Sequence, residues 1–118
     1  MQFFETIILE EADKFIQALD EKAIKKLFFV IRLAEQKKDP KLLKKLTNDI
    51  WEFRVKYLKK QMQILAFWNK ENKKQTLVIA TNCFYKKSQK TPKSEINKAL
   101  EINKALEIRK QYLKNNYE

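Results

Sequence analysis

The chain is predicted to be an α+β domain in which a small, mostly antiparallel four-stranded sheet packs against a helical hairpin. Three observations support this class: strand-like stretches follow one another in the middle, amphipathic helical periodicity precedes them, and a further helix follows. Residues 50–57 alternate strictly between apolar and charged side chains, the period-two pattern of a half-buried strand. With 118 residues, the whole chain 1–118 is expected to be one domain with one core.

The elements are predicted in the order β-α-α-β-β-β-α. Strands are predicted where apolar and β-branched residues alternate or cluster, at 3–8, 50–57, 62–68 and 76–84. Helices are predicted where apolar residues recur at helical spacing. The first covers 10–19, and the second runs from the candidate cap Asp20 to the stop at Pro40. One further turn is predicted at 41–46, and a last helix after Pro92 with Ser94 as its cap. The connections between the three central strands are short, so these strands should form an antiparallel meander.

The last helix contains a tandem duplication. The six residues 95–100 recur at 101–106. Because a helix turns by about 100° per residue, each copy advances by about 240° and the two copies present different faces. We interpret the repeat as a local duplication that lengthens the helix.

Composition restricts the possible chemistry. The formal charge of +11 favours a polyanionic partner, with nucleic acid first and an anionic membrane surface second. The chain has no His, no Gly and one Cys. These absences argue against an imidazole or thiolate metal site, a Cys-His dyad and a glycine-rich phosphate loop. We therefore expect no metal and no cofactor.

The expected location is the cytoplasm. A lone Cys83 forms no internal disulfide, which fits a reducing compartment. We recognise no secretory signal, and charges interrupt every apolar run before it reaches the length of a membrane span. No membrane association is expected.

Cations cluster on and around the predicted sheet. Arg54 and Lys56 share the polar face of the first central strand, and Lys59 and Lys60 follow in the adjoining turn. The segment 86–93 carries four lysines and no acid: Lys86, Lys87, Lys90 and Lys93. Lysines suit point contacts to phosphate, and Arg54 can hold a phosphate through two parallel bonds.

Aromatic and acidic neighbours leave alternatives open. Tyr85 precedes the basic turn and is the best candidate to stack on an unpaired base, whereas Trp51 and Tyr57 should face the helices. Glu52 shares a strand face with Arg54 and can simply pair with it.

Neighbouring cations disfavour the charged form of a lysine, so Lys56 is the candidate base for attack by an RNA 2′-hydroxyl.

Two segments together carry a family resemblance. The stretch Asp49-Ile50-Trp51-Glu52-Phe53-Arg54-Val55, the turn Phe84-Tyr85-Lys86-Lys87-Ser88-Gln89-Lys90-Thr91-Pro92 and the element order resemble the RelE/ParE superfamily, most of all its phage-derived HigB-like toxins. The resemblance covers nearly the whole chain. Relative to that pattern, the second copy of the six-residue repeat looks like an insertion.

The resemblance implies the toxin of a type II toxin–antitoxin pair. HigB-like members are metal-independent, ribosome-dependent mRNA endoribonucleases, silenced by an antitoxin that is typically a helix-turn-helix protein. The implied partners are therefore a cognate antitoxin, the ribosome and mRNA.

Matching motif positions implies catalytic roles for four residues: Arg54, Lys56, Lys86 and Lys87. RNA contacts are expected from six more: Lys59, Lys60, Gln63, Tyr85, Lys90 and Lys93.

Some positions depart from the family pattern. Met62-Gln63 stand where relatives commonly carry a tyrosine-arginine pair, and Asn82-Cys83 replace a frequent histidine-glycine pair. Gln63 can hydrogen-bond a phosphate but does not neutralise it. Three tyrosines, Tyr85, Tyr112 and Tyr117, are candidates for the position that some relatives use near the scissile phosphate.

Two other functions remain open. One is a ParE-like inhibitor of DNA gyrase with no nuclease activity, against which the basic turn argues. The other is a non-catalytic basic RNA-binding protein or degenerate toxin, which Gln63 favours.

Overall fold

The computed structural model describes residues 2–37, 39–47, 49–69, 77–87 and 90–117, without the side chains of 112 and 114–117. Its strands are β1 (Glu5–Ile8), β2 (Leu43–Thr47), β3 (Ile50–Tyr57), β4 (Lys60–Trp68) and β5 (Leu77–Tyr85). Its helices are α1 (Glu10–Gln17), α2 (Glu21–Lys37) and α3 (Lys93–Tyr117). The predicted α+β class is confirmed.

The strands form one sheet in the order β1-β5-β4-β3-β2. The central strands β3, β4 and β5 form the predicted antiparallel meander, and only β1 among the described strands runs parallel to its neighbour, β5. The pairing of β4 with β5 shifts between Leu65 and Ala66, where Thr81 is the extra residue. This bulge changes which residues of β5 face each side of the sheet.

The prediction of four strands was wrong, because residues 43–47 form β2 and the helical turn expected at 41–46 is absent. β2 pairs antiparallel with β3, and Leu43 is buried opposite Phe53. A single isolated helical turn is costly to nucleate, whereas pairing as a strand satisfies the outer backbone groups of β3. The Asn48 of the predicted turn lies outside the described residues, as do 70–76 in the β4–β5 connection.

The helical hairpin of α1 and α2 covers one face of the sheet, as predicted. The carboxylate of Asp20 accepts a hydrogen bond from the Ala23 N–H at 2.8 Å and caps α2. Trp51 and Tyr57 face this hairpin and pack against the main core. The buried members of that core come from both helices and the sheet: Ala12, Ile16, Leu27, Val30, Ile31, Ala34, Phe53, Val55, Met62, Ile64 and Ala66 are among them.

The opposite face was expected to display cations along its length, but α3 covers part of it. Ala99 and Ile96 of α3 pack on a second, smaller core formed by Ile50, Leu65, Phe67 and Phe84. α3 begins at Lys93, so Ser94 lies inside the helix and is not its cap. The duplicated copies do present different faces, since Ala99 is buried while Ala105 is exposed.

A polar network fixes the start of α3 against the sheet. The side-chain amide of Asn82 donates to the main-chain oxygen of Glu95 at 3.1 Å and to its carboxylate at 3.0 Å. The Thr81 hydroxyl lies 2.6 Å from the Asn82 Oδ1 and 3.2 Å from the Leu65 carbonyl. The bulge therefore helps to orient the two polar side chains that hold α3.

Candidate functional site

Beyond α3, the same sheet face ends in two rows of polar and cationic side chains. In the first row, Arg54 of β3 lies opposite Gln63 of β4, which lies opposite Phe84 of β5. In the second row, Lys56 lies opposite Gln61, and the Gln61 carbonyl accepts a hydrogen bond from the Lys86 N–H at 2.8 Å. Since alternate residues of a strand share a face, these side chains lie side by side. We call this set the cationic end: Arg54, Lys56, Gln61, Gln63, Phe84 and Lys86.

Arg54 is anchored by a buried carboxylate. Glu52 is fully buried, and its Oε1 accepts a hydrogen bond from the Arg54 Nε at 2.8 Å. The Arg54 side chain is still 39% exposed, and its two Nη groups have no partner among the described residues. The open alternative in which Glu52 pairs with Arg54 is therefore realised, yet the part of the guanidinium that suits a phosphate stays available.

Gln63 is fully buried, so the RNA contact predicted for it is not open to solvent in this conformation. Its side-chain amide instead donates to the Thr91 hydroxyl at 2.9 Å. Thr91 belongs to the turn between β5 and α3, so this bond ties the basic turn to the sheet beside Arg54. The structure thus places Gln63 in support of the site.

The lysines of the basic turn surround the cationic end. Lys86 is half-buried in the second row, whereas Lys87, Lys90 and Lys93 are exposed along the path into α3. Residues 88 and 89 lie outside the described part of the chain. The turn thus adds positive charge next to Arg54 and Lys56.

Three predicted RNA-binding residues lie on the other face of the sheet. The Lys60 Nζ lies 5.1 Å from the centre of the Tyr85 ring, and that ring meets Phe15 edge-on at 5.0 Å. Lys59 lines a cavity on the hairpin side of the sheet, together with Lys60 and Tyr85. The predicted site residues are therefore divided: Arg54, Lys56 and Lys86 come together, whereas Lys59, Lys60 and Tyr85 occupy the opposite side of the same sheet end.

Two residues near the site were not among the predicted site residues. Lys44 lies opposite Glu52 on β2, and Thr91 holds Gln63. The sequence offered a weak signal for Thr91, which stands in the basic-turn motif. No local signal marks Lys44, because its position depends on the unforeseen strand β2. The side chains of Tyr112 and Tyr117, both proposed near the phosphate, lie outside the described residues.

The lone cysteine faces away from this chemistry. Cys83 packs in the main core, on the hairpin side of the sheet. Burial raises the pKa of its thiol from 9.0 to about 12, and the nearby charge of Glu95 also raises it. The thiol therefore stays protonated and poorly nucleophilic at neutral pH.

In chemical terms, the cationic end can bind and neutralise a phosphate. It combines a partly exposed arginine with lysines, and Glu52 is the acid hydrogen-bonded to that arginine. Among the described residues, no group of three or more His, Cys, Asp or Glu side chains could hold a metal ion. Within the same residues, no helix is long and apolar enough to cross a membrane.

Comparison with known proteins gives a family and a fold. Residues 14–104 match the family model described as Phage derived protein Gp49-like (DUF891). The structure is similar to a mutant of the E. coli toxin RelE in the free state, with a TM-score of 0.50 and 14% identity over 70% of this chain and 82% of that chain. It is also similar to an archaeal RelE–RelB complex from Pyrococcus horikoshii, with a TM-score of 0.48 and 13% identity over 69% of this chain and 92% of that chain. No curated protein matches the sequence.

Proposed function

The chain belongs to the phage-derived Gp49-like family, a RelE-like toxin family, and on that premise we propose that it is the toxin of a type II toxin–antitoxin pair that cleaves mRNA on the ribosome. The predicted superfamily and fold are confirmed by these matches. The nuclease activity, the ribosome and the antitoxin, expected to be a helix-turn-helix protein, are parts of the proposal, as is a cytoplasmic location.

One observation carries the proposal. Arg54 is held by the buried Glu52 while its Nη groups remain unpaired among the described residues, in a row next to Lys56 and Lys86. Such an arrangement suits a phosphate whose negative charge grows during reaction, because preorganised donors stabilise that charge best. The exposed lysines of the turn extend the positive surface toward polyanionic ribosomal RNA.

The proposed reaction uses the RNA itself as nucleophile. Lys56 acts as the base that takes the proton of the 2′-hydroxyl while the 2′ oxygen forms a bond to the adjacent phosphorus. The bond from phosphorus to the 5′ oxygen breaks, leaving a 2′,3′-cyclic phosphate and a 5′ oxygen that takes a proton from water to become a 5′-hydroxyl. Arg54 with Lys86 or Lys87 neutralises the phosphate during this step.

Other predicted residues take supporting roles in this proposal. Gln63 acts through Thr91 to hold the basic turn rather than by contacting RNA. Lys90 and Lys93 contact ribosomal RNA beside the site, and Lys59 and Lys60 contact it from the other face of the sheet. Tyr85 is partly exposed and already packs with Phe15 and Lys60, so any stacking on a base uses its remaining surface.

The decisive test is primer extension on a defined mRNA with and without translating ribosomes. We expect cuts only with ribosomes and in phase with codons. Arg54→Ala should reduce cleavage at least about 100-fold, since loss of one preorganised donor to a reacting oxyanion has an effect of that order. Arg32→Ala, at an exposed position of α2, is the matched control and should cleave normally.

A second candidate function is a non-catalytic RNA-binding protein or degenerate toxin. It is favoured by the burial of the Gln63 amide at the position where relatives carry a cation. RNA that stays intact in both reactions, without an effect on growth, would support it. Intact RNA from a protein that still arrests growth would instead favour the ParE-like inhibition of gyrase.

A further inference from the structure

A cavity of about 510 Å³ opens on the hairpin face of the sheet, on the opposite side from the cationic end. It lies between the β3–β4 turn on one side and the α1–α2 connection with the first turn of α2 on the other. Its lining residues are Asp20, Ala23, Tyr57, Leu58, Lys59, Lys60, Met62 and Tyr85. The volume is in the range of sites that enclose a bulky organic group.

The interior of the cavity is apolar. Met62 and Ala23 are almost fully buried within it, at 1% and 4% exposure, and the rings of Tyr57 and Tyr85 add aromatic surface. Tyr85 is held in place by its edge-on contact with Phe15 at 5.0 Å. A group entering the cavity therefore meets mainly carbon atoms in a preformed arrangement.

Leu58 stands at the edge of this cavity in an unfavourable state. Its φ of 55° lies in the left-handed region, and its residue surface is 79% exposed. That backbone conformation costs about 1–2 kcal/mol for a residue with a β-carbon. The two-residue β3–β4 turn accounts for this φ, and it leaves the exposed leucine side chain beside the apolar cavity.

The mouth of the cavity carries positive charge. Lys59 and Lys60 both line it, and the Lys60 ammonium rests over the Tyr85 ring at 5.1 Å. Asp20 is the lining acid, but one of its carboxylate oxygens is already used to cap α2. An incoming apolar group flanked by carboxylates would thus find both an apolar interior and cationic partners.

We propose that this cavity is the docking site for an acidic segment of a partner protein, which inserts one large apolar side chain. The flanking carboxylates of the segment pair with Lys59 and Lys60, while Leu58 packs against its aliphatic surface. An acidic segment suits the cavity because Lys59 and Lys60 supply positive charge beside a lining that is mainly apolar. This inference does not rest on the proposed cleavage of mRNA, although Lys59 and Lys60 cannot hold the segment and ribosomal RNA at the same time.

Met62 makes the proposal directly measurable. The chain has two methionines, Met1 and Met62, so protein labelled with carbon-13 at the methionine methyl groups should give two NMR signals. The probe is a synthetic peptide, acetyl-Glu-Glu-Trp-Glu-Glu-amide. We expect it to shift the Met62 methyl signal saturably, because the tryptophan ring would lie next to it.

Charge variants complete the test. Lys59→Glu with Lys60→Glu should weaken peptide binding at least tenfold. Lys37→Glu with Lys45→Glu carries the same change of charge at exposed sites at the far end of α2 and on β2, and should bind like the unmodified protein. A peptide with lysines in place of the glutamates should not bind.

The proposal is overturned if the acidic peptide leaves the Met62 signal unmoved, or if both charge variants bind it equally. It is also overturned if a short single-stranded RNA shifts that signal and the acidic peptide does not, since the cavity would then serve RNA. None of these outcomes depends on mRNA cleavage, so failure here and failure of the proposed nuclease function can be told apart.

Discussion

At the scale of single residues, the pairing of Arg54 with Glu52 is the central feature of the site. A fully buried carboxylate is costly unless it is paired and hydrogen-bonded. The 2.8 Å bond from Arg54 Nε offsets part of that cost. The same bond restricts the orientation of the Arg54 guanidinium, and that orientation decides whether it can hold a phosphate through two parallel bonds. In the proposed reaction, Glu52 is therefore a positioning residue that acts through Arg54.

Glu52→Gln should lower the rate of mRNA cleavage about tenfold, which corresponds to about 1.4 kcal/mol. The neutral amide still accepts a hydrogen bond from Arg54, but a bond to a charged group is roughly twice as strong. Cleavage rates are measured by primer extension at saturating ribosomes. In an Arg54→Ala background the same change should have no further effect; an independent additional loss would show that Glu52 does not act through Arg54.

The buried thiol of Cys83 predicts a pH dependence of stability. Its pKa is about 12 in the folded protein and 9.0 ordinarily, so between these values the unfolded chain has lost a proton that the folded chain retains. Deprotonation therefore favours unfolding, and the free energy of unfolding should fall by about 2 kcal/mol between pH 8.5 and 10.5 from this group alone.

This contribution is measured by urea denaturation at the two pH values. Cys83→Ala should be less stable at pH 8.5 because it leaves a small cavity in the main core. It should lose less stability than the unmodified protein on going to pH 10.5. Equal losses in both proteins would contradict the assignment to Cys83.

At the scale of elements, the β3–β4 turn holds the one positive φ recorded among the described non-glycine residues, at Leu58. Asparagine tolerates this conformation better than leucine. Leu58→Asn should therefore raise the free energy of unfolding by about 1 kcal/mol, since the leucine is largely exposed and little packing is lost. Urea denaturation measures the change.

The control for that prediction is Leu58→Ala, which also removes the exposed leucine but lacks the short polar side chain by which asparagine tolerates the left-handed conformation. It should give no comparable gain. If both variants raise the free energy of unfolding equally, the increase comes from removing an exposed leucine and not from easing the unfavourable backbone conformation at position 58.

Local patterns predicted most elements well. The segment 50–57 was predicted with the bounds that β3 has, because strict alternation is a property of neighbouring residues. The Asp20 cap was equally local and is confirmed. β2 was missed because 43–47 lacks a pattern of its own and becomes a strand only by pairing with β3.

At the scale of the whole molecule, the net charge of +11 predicts strongly salt-dependent RNA binding. For single-stranded RNA the slope of log affinity against log salt concentration is about −0.7 for each phosphate contact. Arg54→Ala should make the slope shallower by about 0.7, whereas Arg32→Ala should leave it unchanged. Fluorescence anisotropy with a short labelled RNA measures both. A slope unaltered by Arg54→Ala would mean that Arg54 contacts no phosphate in this complex.

The sequence by itself determined the central meander, the helical hairpin and the abundance of cations near the β3–β4 turn and before α3. These features follow from alternation, helical periodicity and composition, which act between residues close in the chain. They were enough to predict the α+β class and to nominate Arg54, Lys56 and the lysines from 86 to 93.

Only the tertiary structure decided how those cations are arranged. Docking of α3 on Leu65 and Phe84 buries part of the face that alternation had marked as polar. The register of β3, β4 and β5 then brings Arg54, Lys56 and Lys86 together and leaves Lys59 and Lys60 beside the cavity on the other side. Register and helix docking are contacts between segments distant in the chain, so a period-two pattern shows that a strand has two faces but not what covers each of them.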